Sequence, residues 1–374
     1  MNHRAKTLVC LFGEIHTKSP YYHCADCHSG VKPWEEKLRL GTRRLTKGAE
    51  EVVALSGLLA SFAKAAERTL VKMSGLRLSE STVLRVTEDA GQAAADAVEK
   101  KETFGGKTPW KWQRDADGQT CGYTGIDHIS IPQQGPNGAK AEGRMAAVGT
   151  LYNPQSKHDE KLPRGHDEQR YLAGFYKLDD LGLALRRQAA QIGWDDVQQQ
   201  LAMSDGGSGL EDWARKSFPL ATPIIDFYHV TEHVAELAAA LHSRDPAAAA
   251  GQMTKWCHQL KHAGGAAVRK EIEQLPLRGS PAWRETHRQV LQYFRNHEHR
   301  MDYPAYRKHG WQIGSGPVES ACKRIVTQRL KGAGMRWSER GSNALCHLHA
   351  IFLSQSNQWS AFWSRQSPKT HLLI

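Results

Sequence analysis

The chain has 374 residues, with 50 Lys and Arg against 39 Asp and Glu, a formal charge of +11 and a composition that is 40% hydrophobic and 8% aromatic. That length holds two or three domains with at least one sizeable core and excludes a disordered or low-complexity class. No stretch approaches 18 apolar residues, which excludes a membrane-spanning helix, and the basic balance favours a polyanion partner; neither a membrane nor a small-molecule substrate is expected.

The seven cysteines are scattered and odd in number, which argues against a disulfide framework and for a reducing cytoplasm. The apolar run Thr7–Phe12 is too short for a signal sequence, so a cytoplasmic, nucleoid-associated protein is expected. Several of the 11 tryptophans adjoin cations, as in Trp110-Lys111-Trp112 and Arg336-Trp337. Such pairs stack bases and neutralise phosphates, or simply lie in a core beneath extended basic side chains.

In chain order, residues 1–44 read as short extended segments around Cys24-Ala25-Asp26-Cys27. This is one half of a zinc ribbon. Structural zinc takes four ligands, so Cys24 and Cys27 are candidate zinc ligands with Cys10, His3, His16, His23 or His28 available to complete the set. Residues 45–100 turn helical, with Leu55, Leu58, Leu59 and Phe62 at helical spacing and a polar Ser79-Glu80-Ser81-Thr82 break before a second amphipathic run. That outline suits a helix-turn-helix DNA-binding domain with Ser81, Thr82 and Arg85 on the groove-facing side, downstream of the basic run Lys37, Arg39, Arg43, Arg44 and Lys47. Residues 101–118 read as a linker.

From 119 the texture changes to strands. Strands are predicted over Tyr123–Ile131, Arg144–Tyr152, Gln169–Tyr176, Val197–Met203 and Thr222–Tyr228, with helices over Leu178–Gln191 and Leu210–Phe218. Three strands, a helix, a strand, a helix and a strand is the order of a ribonuclease-H-like mixed sheet, an α/β fold in which the first strand lies beside the fourth. Asp127 and Asp205 would then converge. The first part of this core (119–229) is followed by a helical insertion (230–312) and a C-terminal helical part (313–374).

That last part carries Gly314-Ser315-Gly316-Pro317-Val318-Glu319, a glycine-rich entry into a helix with proline in its first turn. Glu319 is followed by Lys323, Arg324, Arg329, Lys331 and Arg336, a pattern suited to a metal at one end and phosphates along the helix. Glu319 alone could equally complement the helix dipole. Asp127 sits mid-strand, where aspartate is depleted. Asp205 in Ser-Asp-Gly-Gly could be a turn residue, and Asp226 a helix cap; His229 could sit in a core, hold Asp226 or meet a phosphate. Asp205 and Asp226 compete for the second acidic role, and the topology prefers Asp205. Three carboxylates from separated segments suit two Mg²⁺ ions, which clamp the attacking and leaving oxygens of phosphoryl transfer.

The run Gly314–Lys323, with Gly334-Met335-Arg336-Trp337-Ser338 downstream, closely resembles the C-terminal signature of ISKra-type insertion-sequence transposases. Tyr21-Tyr22-His23-Cys24, Gly125-Ile126-Asp127, Ser204-Asp205-Gly206 and Asp226-Phe227-Tyr228-His229 match the same family in order. The resemblance implies a DDE transposase that binds the terminal repeats of its element as double-stranded DNA, cleaves them and transfers strands to target DNA. It implies a Mg²⁺ site, with Mn²⁺ able to substitute, at Asp127, Asp205 and Glu319, a supporting role for Asp226 and His229, and a homo-oligomer. The family has Gly-Thr after the first aspartate, whereas this chain has His128-Ile129. A catalytically decayed DNA-binding protein or repressor, and a ribonuclease-H-like nuclease, are the alternative readings.

Overall fold

The computed structural model describes residues 2–38, 40, 44–153, 168–277, 280–355 and 357–366. Arg39 and Arg43 of the expected basic run lie outside them. The chain opens with an antiparallel hairpin of β1 (Asn2–Cys10) and β2 (Gly13–His23), to which the two-residue β3 (Gly30–Val31) adds an edge. A short α1 (Pro33–Lys37) follows. Next come α2 (Lys47–Leu59), α3 (Phe62–Lys64) and α4 (Leu70–Ser74), the last two joined by a π-helical turn, and the long α5 (Glu80–Glu99). Thr46, Ser61 and Ser79 cap α2, α3 and α5 by accepting from backbone N–H groups that would otherwise lack partners.

A mixed sheet occupies the middle of the chain: β4 (Gln113–Arg114), β5 (Thr120–Gln134), β6 (Lys140–Asn153) and β7 (Glu168–Gly174), then α6 (Leu178–Gln191), β8 (Gln199–Ser204), α7 (Leu210–Ser217) and β9 (Thr222–Ile225). The strand order is β7-β6-β5-β8-β9, antiparallel from β5 through β7 and parallel from β5 through β9, with β4 beside β5. The first long strand therefore does lie beside the fourth. The expected fifth strand stops early. Its chain turns at Ile225, because the Asp226 carboxylate accepts from the Tyr228 N–H and starts α8 (Phe227–Leu241).

Side-chain alternation sorts this sheet into two faces. Ala147, Leu151, Leu172 and Ala202 point to α6 and α7, where Leu181, Leu185, Trp194 and Phe218 are buried. Their neighbours Ala146, Val148, Tyr171 and Ala173 point the other way, into a core shared with α2, α5 and the C-terminal helices. Those helices are α13 (Gly316–Cys322), a π-helical turn over Lys323–Thr327, α14 (Gln328–Leu330), α15 (Glu339–Leu353) and α16 (Gln358–Gln366). Between α8 and α13 run α9 (Pro246–Ala263), α10 (Gly265–Glu273), α11 (Pro281–His297) and α12 (Tyr303–Lys308), whose core continues into Leu201, Met203, Ile224 and Ile225 of the parallel strands.

Two expectations about organisation change here. The 45–100 helices are built into the main core. Val53, Leu58, Val83 and Val86 share buried surface with α15, and Gly91 passes so close to the Ala344 carbonyl that an added Cβ would lie 2.2 Å from it. Residues 101–118 are likewise packed and not a solvated linker: Phe104 and Trp110 are buried, and Thr108 and Trp110 donate backbone hydrogen bonds to Gln191 and Ile192. The polar composition of 101–118 hid two large aromatic side chains whose burial outweighs the surrounding charge.

Candidate active site

The parallel strands set the acids in a row. In the β5–β8 register Gly125 is paired with Met203, and in the β8–β9 register Ser204 is paired with Ile225. Carried on past the last pairs, these registers bring Asp127, midway along β5, level with Asp205 and Asp226, which lie just beyond the carboxyl ends of β8 and β9. Such strand ends are where open α/β sheets bind ligands. Period-2 alternation turns Asp127 away from the Ile126 face and towards α13.

Glu319 arrives on that helix. α13 lies against β5 so closely that a Cβ on Gly125 would stand 2.5 Å from the Val318 Cγ2, so glycine is what allows this approach. One turn after Glu319, the Cys322 thiol is 3.5 Å from the Asp127 Oδ2. Burial, with the Asp127 and Glu319 charges added, pushes that thiol well above its usual range. Ser315 begins the helix but does not cap it with its side chain. Its hydroxyl instead donates to the Asp226 carboxylate and lies 3.5 Å from the Glu319 Oε1.

Asp127, Asp205, Asp226, His229 and Glu319 thus line one cleft of about 150 Å³, joined by Glu232. The acids are not equivalent. Asp226 is buried, with Oδ1 accepting from the Tyr228 N–H and Oδ2 from Ser315. Asp205 is half-buried and accepts from Gly207 N–H through Oδ1; Glu319 is exposed. Asp127 takes a 2.6 Å hydrogen bond from the His128 N–H. Hard carboxylate oxygens around a cleft are the donor chemistry magnesium requires. Among the described residues, however, no three His, Cys, Asp or Glu side chains close on a single point within ligand distance.

The helical segment after β9 adds side chains that the sequence did not reveal. The Tyr293 hydroxyl of α11 donates to the Asp205 carbonyl oxygen at 3.3 Å, and its ring lies over Gly206. His229, His233, Tyr293 and His297 follow one another in ring contact, with centroids 5.1, 4.0 and 4.7 Å apart. Burial, with His229 beside it, holds His233 below the usual histidine range. Ser315 and Cys322, four residues before and three after Glu319, share its helix face and were findable from spacing. Tyr293 is not, because nothing local ties residue 293 to residue 205.

The cationic residues divide. Lys323, Lys331, Arg336 and Arg85 are exposed and Arg324 is half-buried. Arg336 donates to the Gly138 carbonyl at 3.0 Å, and the Arg85 Nε to the Ser81 carbonyl at 3.1 Å. Arg329 requires correction: it is 5% exposed, donates twice to the Gly57 carbonyl at 2.9 and 3.1 Å, and lies over the Phe62 and Trp337 rings, which themselves meet edge to face. Plain helical spacing, 3.6 residues per turn, puts Arg329 between the buried Cys322 and Ile325 and away from Lys323, Arg324 and Lys331, so it lies on the face turned to the core.

At the other end of the chain, Cys24 and Cys27 are both exposed on the turn between β2 and β3. Compared with known proteins, the chain matches no family model and no curated sequence.

Proposed function

We propose that this chain is a DDE-type DNA transposase of an insertion sequence with a ribonuclease-H-like core. It would bind the element's terminal repeats and catalyse Mg²⁺-dependent cleavage and strand transfer. One observation carries the reading: strand register levels Asp127 with Asp205, and α13 brings Glu319 into the same cleft. Asp127, Asp205 and Glu319 would hold Mg²⁺, with Mn²⁺ as a substitute. The ions supply charge neutralisation for the attacking and leaving oxygens of an in-line displacement.

The protein's own groups have separable tasks. Asp226, fixed by two hydrogen bonds, holds Ser315 and through it the start of α13. Tyr293 fixes the chain where β8 ends. Lys323, Arg324, Lys331, Arg336 and Arg85 would neutralise phosphates, which positions DNA without reading its sequence. His229, at the rim, is suited to a phosphate or to a proton at the departing oxygen.

The test is a duplex carrying the element ends, incubated with the protein and Mg²⁺. Wild type nicks it and joins the product to target DNA; Glu319→Gln binds it equally well and leaves it uncut. Cleavage by Glu319→Gln at the wild-type rate overturns the assignment. A second reading, a catalytically decayed DNA-binding protein or repressor, is favoured by His128-Ile129 standing where the resembled family has Gly-Thr. Binding without cleavage in Mg²⁺ and in Mn²⁺ would establish it. Cleavage without joining would identify a nuclease.

A further inference from the structure

Ion pairing divides the cations of the helical segment between β9 and α13. Lys255 holds Glu271, Arg269 holds Glu273 and Glu298, Arg288 holds Glu285, Arg295 holds Glu273 and Arg300 holds Glu211. A second group has no such partner. His258, Lys261 and His262 in the last two turns of α9, and Arg307 on α12, have no carboxylate within ion-pair distance among the described residues. They are nevertheless gathered together. The His258 and His262 rings lie 4.3 Å apart, and Arg307 donates to the Lys261 carbonyl at 3.1 Å. His258, His262 and Arg307 are exposed and Lys261 is half-buried. Loss of water contact, with the charges of His258, Arg307 and Lys261 added, holds His262 below the usual histidine range, so the four groups act on one another.

This patch reaches the wall of the acidic cleft. The Lys261 ammonium stands 4.8 Å from the centre of the Phe227 ring, and the Phe227 N–H donates to the Ile313 carbonyl at 2.8 Å, just before the glycine-rich entry to α13. The next residue, Tyr228, lines the cleft itself, with its ring against Gly314 and 65% of its surface exposed. Cations in the last turn of a helix complement its negative end, which accounts for Lys261 and His262 taken singly. It gives no reason for Arg307 to join them from another helix while spending one donor on a carbonyl. Positive groups collected without an acid repel one another and favour an anion among them.

We propose that His258, Lys261, His262 and Arg307 form a phosphate-binding track for double-stranded DNA, leading over α9 and α12 to the acidic cleft. The choice of DNA as partner rests on the transposase reading, whereas the track itself needs neither the metal ions nor Glu319. Lys261 and Arg307 neutralise phosphates and the two imidazoles donate hydrogen bonds to them. Such contacts fix the path of the duplex and carry no base preference.

The test uses the full chain, a short duplex of arbitrary sequence and a chelator, so that no cleavage intervenes, with affinity measured over a series of salt concentrations. The Lys261→Ala/Arg307→Ala variant, its fold checked by circular dichroism, should bind about tenfold more weakly at low salt, and its slope of log affinity against log salt should fall by about 2. Lys255→Ala removes a cation from the same helix, but one that already holds Glu271, and should leave affinity and slope unchanged. Arg307→Lys keeps the charge and should keep most of the binding. Wild-type affinity and slope in the double variant, or an equal loss in Lys255→Ala, would overturn the track. Track-dependent binding by a chain that never cuts in Mg²⁺ would uphold it and sink the strand-transfer reading. Cleavage of element ends by a double variant that binds like wild type would do the opposite, and a wild-type chain that binds no duplex would overturn both.

Discussion

Ser315 donates its hydroxyl hydrogen bond to Asp226, which lies 89 residues earlier at the end of the last strand. That bond ties the start of the Glu319 helix to the sheet edge and occupies a hydroxyl that would ordinarily cap its own helix. Removing it as Ser315→Ala leaves a buried carboxylate oxygen short of a partner, at a cost of about 1–3 kcal/mol. Urea unfolding should register that loss. DNA cleavage should fall at least tenfold while duplex binding holds, since Ser315 meets carboxylates and not phosphates. Unchanged cleavage would show that Glu319 does not depend on this bond.

Asp205 and Asp226 should separate cleanly by substitution. Asp205→Asn is expected to abolish cleavage with little change in melting temperature, because its carboxylate makes one exposed turn contact. Asp226→Asn keeps a good helix cap, asparagine being about as effective as aspartate, and should retain partial cleavage. Asp226→Ala loses cap and Ser315 contact together and should be the least stable of the three. The reverse ranking in cleavage would move the second acidic role to Asp226.

Gly125→Ala puts a methyl group where Val318 stands. Overpacking of this kind costs about 1–3 kcal/mol, and here it would also lift α13 and Glu319 away from Asp127. Cleavage should drop sharply, and Val318→Ala in the same chain should restore part of it. Failure of that second change to rescue either stability or cleavage would mean the two elements are not coupled through this contact.

Arg329→Ala should destabilise the fold by ~3 kcal/mol, the scale of lost charge-assisted hydrogen bonds to a buried carbonyl together with two ring contacts. Lys is a poor substitute, since a point charge cannot fork to Gly57 and stack at once. Lys331→Ala, on the exposed side, should change stability by under ~0.5 kcal/mol and instead weaken DNA binding in a salt-dependent way. Chemical denaturation and binding titrations at two salt concentrations distinguish the pair.

Burial holds His347 and His349 down to about 4, the second despite its contact with the Ile325 carbonyl. In the unfolded chain both titrate near 6.5. As pH falls below 6.5 the unfolded state takes up these protons first, so stability is lost between pH 6.5 and 4 and this contribution levels off below 4. The slope should approach 1.4 kcal/mol per pH unit for each histidine. Denaturation midpoints across that range, in wild type and in His347→Gln, measure it; an unchanged slope in the variant would place the linkage elsewhere.

Much of the sheet was legible in advance. The helix over Leu178–Gln191 has its predicted limits, and the long strands fell within a few residues of their predicted ends. Alternating apolar positions carry that information locally. Residues 101–118 misled because Phe104 and Trp110 are isolated among glycines and lysines, and a single buried aromatic leaves no period to read.

The sequence by itself determined the order of the elements and which residues were chemically able to serve: four acids, one mid-strand and three beside turns or helix starts. Tertiary structure alone decided how they are shared out. Strand register levelled Asp127 with Asp205 and Asp226, and Ser315 and Tyr293 were joined to acids 88 or more residues away. Periodicity is a property of neighbouring residues, whereas register and helix docking are set by contacts between distant ones. No local pattern encodes those contacts.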